Sequence, residues 1–278
     1  MEKRNCSNCK LIINILSNEI RLPMISKNIC KFCGQEKKLI KAHIIPRNFY
    51  LNYKNEKYLG VDSISGKFTI QQSGAYDKNI LCEDCDGKIL GEFDKEGYRI
   101  LFSEVYKHIL YSDKNTKIYY LTSENYNYEY LRKFFISILW RASISNVREL
   151  DDVHLGKYEN IALKILKGEE KYKDLFKTYI FKYPNNEDFN RFVFIAKSKI
   201  GNHNAYVINM AGYSINIIIN GNNHPYDNIY QMRDMLIDDK YFCIVESNEL
   251  YERHYYNASL KMQEMWQKGF KPPFASKL

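Results

Sequence analysis

Six of the seven cysteines in this 278-residue chain fall into three Cys-x-x-Cys pairs, Cys6/Cys9, Cys30/Cys33 and Cys82/Cys85, and Cys243 stands alone. No other feature constrains the fold as tightly. Two intervening residues let both thiolates turn onto one tetrahedral ion, at about 2.3 Å per Zn–S bond. In a reducing compartment, pairs at this spacing are metal knuckles more often than disulfides. A redox pair would want a strand-to-helix context of its own, and three copies would be odd. The spacing therefore predicts structural zinc. No window approaches the roughly 18 uncharged apolar residues of a membrane span. The opening Met1-Glu2-Lys3-Arg4-Asn5-Cys6 lacks the apolar stretch of a signal peptide. The expectation is a cytoplasmic protein with no membrane partner.

The next question is which four cysteines share an ion. Cys9 and Cys30 are separated by 20 residues, an acceptable zinc-ribbon spacing, and Cys33 and Cys82 by 48, which demands structure in between. Local sequence favours the second pairing. In Cys30-Lys-Phe-Cys33-Gly34 the glycine can take the positive φ that follows a second thiolate. In Ile80-Leu81-Cys82-Glu-Asp-Cys85-Asp86 the ligands enter a predicted helix, whose dipole stabilises thiolate charge. A knuckle followed by a helix start is a treble clef, with the ribbon pairing as the alternative. Cys6 and Cys9 are then candidates for a second zinc site or an unmetallated tail. Cys243, in the apolar run Tyr241–Val245, reads as a small buried residue.

The rest of the chain has the means to bury a core, with 45% hydrophobic and 15% aromatic residues. At roughly 150 residues per domain, two units are expected, a zinc-bearing module over 1–111 and a mixed domain over 112–278 serving targeting, oligomerisation or partner binding. The fold class is α+β. Residues 11–16 form a short apolar run. A helix is expected from Cys82 to about Tyr111, burying Ile89, Leu90, Phe93, Ile100 and Leu101. The clearest helix spans 129–147, where Leu131, Phe134, Phe135, Ile138, Leu139 and Ala142 recur at intervals of three and four. Its Trp140-Arg141 reads as core with an internal ion pair. Another helix is expected over 156–167. Period-two runs at Phe192/Phe194/Ala196 and Ile215/Ile217/Ile219 predict strands, the latter pairing with Ala205–Met210 across Ala211-Gly212. Tyr241–Val245 predicts one more strand, and 249–267 a last helix.

Between the second and third cysteine pairs lies Lys41-Ala42-His43-Ile44-Ile45-Pro46-Arg47. The order Cys-x-x-Cys, His-Ile-x-Pro, Asn-x-x-Cys-x-x-Cys at a helix start resembles the zinc-containing branch of the HNH (ββα-metal) endonucleases over about residues 28–98. With the downstream Phe-x-x-Ser-Ile-Leu-Trp-Arg of residues 134–141, it also resembles uncharacterised bacterial HNH-like proteins of anti-phage or mobile-element systems. The resemblance implies a structural zinc on Cys30, Cys33, Cys82 and Cys85. It also implies His43 as general base and an orienting residue at Asn79 or Asp77. Asp86 is then the ligand of a catalytic divalent ion. An imidazole with an ordinary pKa near 6.5 can take a proton from water at neutral pH. A carboxylate is a hard donor suited to Mg²⁺ or Mn²⁺. Two positions depart from the family pattern. Ala42 stands where many members carry an acidic residue, and Asp86 stands where a histidine is usual; Asp77, Glu92 and Asp94 are available to complete the ligand set.

The net charge of +8 favours polyanion partners, DNA first among them. Lys37, Lys38, Lys41 and Arg47, close to His43, are the candidate phosphate contacts. The rival reading is a zinc-scaffolded protein that binds nucleic acid or a protein partner, or self-associates, without cutting.

Overall fold

The computed structural model describes residues 28–50, 58–61, 68–71, 74–103, 107–172, 175–184, 192–200, 203–219 and 236–247. Cys6 and Cys9, the run at 11–16 and the helix expected over 249–267 lie outside these residues.

The architecture is α+β; among the described residues it has a large mixed sheet, three α-helices and a two-stranded ribbon. The ribbon pairs β1 (Ala42–His43) with β4 (Tyr76–Asp77) antiparallel. The intervening chain supplies β2 (Tyr58–Val61) and β3 (Phe68–Gln71), which pair with each other. After β4 comes a helix whose first part, Asp84–Leu90, is π-helical and whose remainder is α1 (Gly91–Phe102). Strands β5 (His108–Ser112) and β6 (Thr116–Thr122) follow, then α2 (Tyr128–Ile144) and α3 (Tyr158–Leu166). The last described elements are β7 (Lys177–Lys182), β8 (Phe192–Ile200), β9 (His203–Met210), β10 (Tyr213–Ile218) and β11 (Tyr241–Ser247).

Nine strands share one sheet in the order β3-β2-β8-β9-β10-β7-β11-β6-β5, so it takes strands from both sides of residue 111. All neighbours are antiparallel except β2/β8 and β7/β11. The β9–β10 hairpin turns at Ala211 (φ 52°) and Gly212 (φ 80°), the pair of positive φ values that a tight two-residue hairpin of matching twist requires.

The helix expected to reach Tyr111 stops at Phe102, and Tyr111 lies in β5. Leu90, Phe93, Ile100 and Leu101 are buried as their spacing predicts, whereas Ile89 is 41% exposed. The π-helical start is the reason: its wider turns rotate residues 84–90 away from the 3.6-residue register used to assign faces.

Helix α2 is the centre of the molecule. Its side chain at Asn127 accepts from the Tyr130 N–H, capping the first turn. Burial runs around its whole circumference and includes Arg132, Lys133, Ser137 and Arg141. Those polar side chains are tolerated because they are bonded. Arg132 donates to the carbonyls of Tyr172 and Leu175, and Lys133 pairs with Glu129 at 2.8 Å. Helix α1 lies against α2 so closely that a Cβ at Gly97 would sit 2.3 Å from the Phe134 ring. Phe49 stacks on that same ring at 5.3 Å between centroids.

One hydrophobic cluster extends from Cys30 to Ile244. Alternate residues of the same strands, Tyr179, Ala205, Ile218 and Cys243, form a second, smaller cluster. Strand side chains point to opposite faces in turn, so the sheet is apolar on both. Among the described residues, no helix is long and apolar enough to cross a membrane.

Candidate metal centre and the carboxylates beside it

The ligand sulfurs of Cys30, Cys33, Cys82 and Cys85 all lie within 4.8 Å of one another. A metal such as zinc fits such a set, since about 2.3 Å per bond in a tetrahedron places sulfurs roughly 3.8 Å apart. The backbone builds this corner. Gly34 N donates to Cys30 O at 2.8 Å, closing a turn that Gly34 completes with φ 74°. Cys30 N donates to Gln35 O, and Lys31 N to Ile80 O, which ties the knuckle to the approach of the Cys82/Cys85 pair. A bridge between Leu39 and Cys82 and a bond from Ile40 N to Leu81 O align the two segments.

The thiols respond to this packing. Burial works to raise Cys30, but the backbone N–H groups of Cys33, Cys82 and Phe32 outweigh it and bring the thiol down to about 7. For Cys85, burial and then the neighbouring sulfurs push the thiol well above its usual range. Cys243 is buried far along the chain, in β11.

The register of the ribbon sorts the other candidates. Ala42 pairs with Asp77 and His43 with Tyr76, and directly opposed residues share a face. One face, Ala42 and Asp77, is buried at 0% and 6% exposure. Asp77 is satisfied there. Its Oδ1 accepts from Asn79 N at 2.7 Å and its Oδ2 from Asn146 N at 2.8 Å, just beyond the end of α2. Asn79 is exposed and contributes its backbone N–H to that turn. The structure therefore turns Asp77 away from the face that carries His43, because side chains alternate along β4.

His43 is half-buried on the other face, with the Tyr76 ring 6.1 Å from its own. Its backbone carbonyl accepts from Arg141 Nη1 at 3.1 Å. Arg141 reaches across from α2 and is 1% exposed. It holds Asp94 through Nη2 at 2.6 Å and Nη1 at 3.3 Å, and it donates to Ser137 O at 3.3 Å and Ser137 Oγ at 2.9 Å. The internal ion pair expected at Arg141 is thus present, with Asp94 as partner. Asp86, at the helix start, approaches the same guanidinium at 4.0 Å. His43, Asp86 and Asp94 are therefore gathered around one buried cation.

The charges do not balance there. Burial raises Asp86, Arg141 pulls it back, and Asp94 raises it further. Burial also raises Asp94, against its two contacts with Arg141. Two carboxylates share one guanidinium, and among the described residues the buried Oδ1 of Asp86 accepts no hydrogen bond. A buried acceptor in that condition fits a hard cation. Glu92, the other carboxylate considered, is exposed and pairs with Lys95 at 2.6 Å.

The basic residues divide. Lys37 pairs with Asp84 at 3.2 Å and so links the knuckle to the helix start. Lys41 places its Nζ 3.8 Å over the Tyr76 ring. Lys38 and Arg47 are exposed. Trp140 packs edge-on against Phe32, and Lys31 Nζ donates to Ile144 O at 2.6 Å, so the end of α2 grips the cysteine corner.

Sequence reasoning missed that Arg141 contacts His43, since nothing local relates positions 98 residues apart. It also missed Tyr76, which only the pairing of β1 with β4 brings opposite His43. Comparison of the chain with family models, curated proteins and solved structures finds no match.

Proposed function

We propose that the chain is a metal-dependent endonuclease of HNH type, hydrolysing phosphodiester bonds in nucleic acid, with DNA as the expected substrate. What supports this reading is one convergence. His43 on its ribbon and Asp86 at its helix start approach the same Arg141 guanidinium, at 3.1 Å from the His43 carbonyl and 4.0 Å from Asp86, beside four cysteines that suit zinc. The ribbon, the cysteine corner and the helix follow each other as a treble-clef ββα-metal module would.

In this reading the cysteines and their zinc hold the module together and do no chemistry. The His43 imidazole takes the proton from a water whose oxygen attacks phosphorus. A divalent Mg²⁺ or Mn²⁺ at Asp86 would supply Lewis-acid stabilisation of the developing charge and the leaving oxygen. Arg141 fixes the backbone that carries His43 and offsets one of the two carboxylates. Lys38 and Arg47 are free on the surface to meet the phosphate backbone. The bacterial proteins that the sequence resembles suggest anti-phage defence as a setting.

One observation favours a second reading, a zinc-scaffolded binding subunit that does not cut. Asp94 is engaged by Arg141, which leaves Asp86 as the one carboxylate of the cluster open to an ion. Cleavage of plasmid and of single-stranded DNA, with Mg²⁺ and with Mn²⁺, decides between them, comparing wild type with His43→Ala at matched zinc content. Cleavage by wild type alone supports the nuclease. Absence of cleavage by both, with zinc intact, supports the binding subunit.

A further inference from the structure

Tyr76 has a position that the nuclease reading leaves unused. Among the described side chains between residues 28 and 103, the other aromatic rings are buried or half-buried: Phe32, Phe49, Tyr50, Phe93, Tyr98 and Phe102. Tyr76 is 39% exposed. Its place opposite His43 in the ribbon register puts both side chains on one face, with ring centroids 6.1 Å apart and ring planes inclined at 54°.

The support beneath Tyr76 is rigid. Next to it Asp77 is buried and bonded through both oxygens, and Ala75 O accepts from Ile44 N at 3.0 Å. Over its ring stands the Lys41 ammonium at 3.8 Å, on a side chain that is itself exposed. An exposed aromatic ring, an exposed ammonium and a half-buried imidazole thus share one small surface.

We propose that Tyr76 is a stacking platform for an unpaired nucleobase, so that the substrate bound at this face is single-stranded nucleic acid. The base takes the ring face that Lys41 covers, and Lys41 moves to the phosphate of the same nucleotide. A base within a duplex is stacked on both sides and offers its ring no partner, whereas an unpaired base presents a free π-face of any sequence. The proposal rests on the nuclease reading for the role of His43 next to the bound nucleotide, but its binding step stands apart from hydrolysis.

The test measures binding by fluorescence anisotropy in Mg²⁺ buffer, using the full chain with His43→Ala so that no strand is cut. The probes are a thymidine 12-mer, an abasic 12-mer with the same phosphates, a uridine 12-mer and a 12-base-pair duplex. Stacking on aromatics predicts that Tyr76→Ala weakens the thymidine strand on the order of 10- to 100-fold. It should leave the abasic strand unchanged, and Tyr76→Phe should retain binding. A uridine strand behaving like thymidine supports the proposal equally, since both present the same unpaired pyrimidine face. Zinc content and thermal denaturation of each variant exclude a folding defect. Unchanged thymidine binding in Tyr76→Ala overturns the proposal, as does a duplex that binds more tightly than the single strand. Failure of the nuclease reading looks different: stacking is seen, but protein with His43 intact cuts nothing.

Discussion

Cys85 and Asp86 are neighbours on one turn of helix, yet they belong to clusters of opposite chemistry. Cys85 joins three other sulfurs within 4.8 Å, a set that one tetrahedral ion completes. Asp86 joins Asp94 around a single guanidinium, and its Oδ1 accepts no hydrogen bond among the described residues. The first cluster is closed and its satisfaction belongs to folding. The second sets two carboxylates against one guanidinium, in a place where burial makes their charge costly.

That contrast can be broken from its closed side first. Cys82→Ser should have the largest effect, because structural zinc in small modules binds with about 10–16 kcal/mol, comparable to the whole stability of a domain. Loss of metal by mass spectrometry together with loss of cooperative unfolding is the expected result. A variant that keeps its melting curve would show that the corner folds without metal.

Arg141→Met comes next. It leaves two buried carboxylates without their cation, at a cost of roughly 3–5 kcal/mol measurable by urea unfolding. Asp77→Ala should cost less, about 1–3 kcal/mol, since it orphans the N–H groups of Asn79 and Asn146. Its folded fraction should keep full cleavage activity, and a loss of activity per folded molecule would bring Asp77 back into the chemistry.

Asp86→Asn should have the smallest effect on stability and one of opposite sign. Burial holds the folded pKa of Asp86 above its ordinary 3.8. Its contribution to stability is therefore present in full below the ordinary value and lost as pH rises through the raised one. Removing the charge should make the metal-free protein more stable at pH 7 while abolishing metal-dependent cleavage. Destabilisation at pH 7 in denaturant titration would mean that Asp86 is structural, like Asp77.

Much of the scaffold was legible from local pattern. Helix α2 was expected over 129–147 and spans Tyr128–Ile144, and β10 pairs with β9 across Ala211-Gly212 as the alternation predicts. The choice of Cys30, Cys33, Cys82 and Cys85 as one set followed from the glycine after Cys33 and the helix after Cys82, and those four sulfurs do come together. The end of the first helix was not legible, because residues 103–111 continue an apolar spacing that strand β5 uses as well. Nor was the burial of α2 on all sides: Arg132 and Lys133 read as a polar face until their partners are known.

Asp77 and Asp86 show where the line falls. As residues they are the same acid, each a few positions from the Cys82/Cys85 pair, and the sequence offered both to the site. The sequence by itself determined the cysteine corner, the helix that leaves it and the apolar strands, since spacing and periodicity act through neighbours along the chain. Only the tertiary structure decided which acid faces His43's surroundings and which is spent on the backbone. The register of a two-residue ribbon turned Asp77 inward onto Asn146, and Arg141 arrived from a helix 98 residues away to gather His43, Asp86 and Asp94. Those are long-range contacts, set by how the helices and ribbon pack around a common core, and no local pattern encodes them.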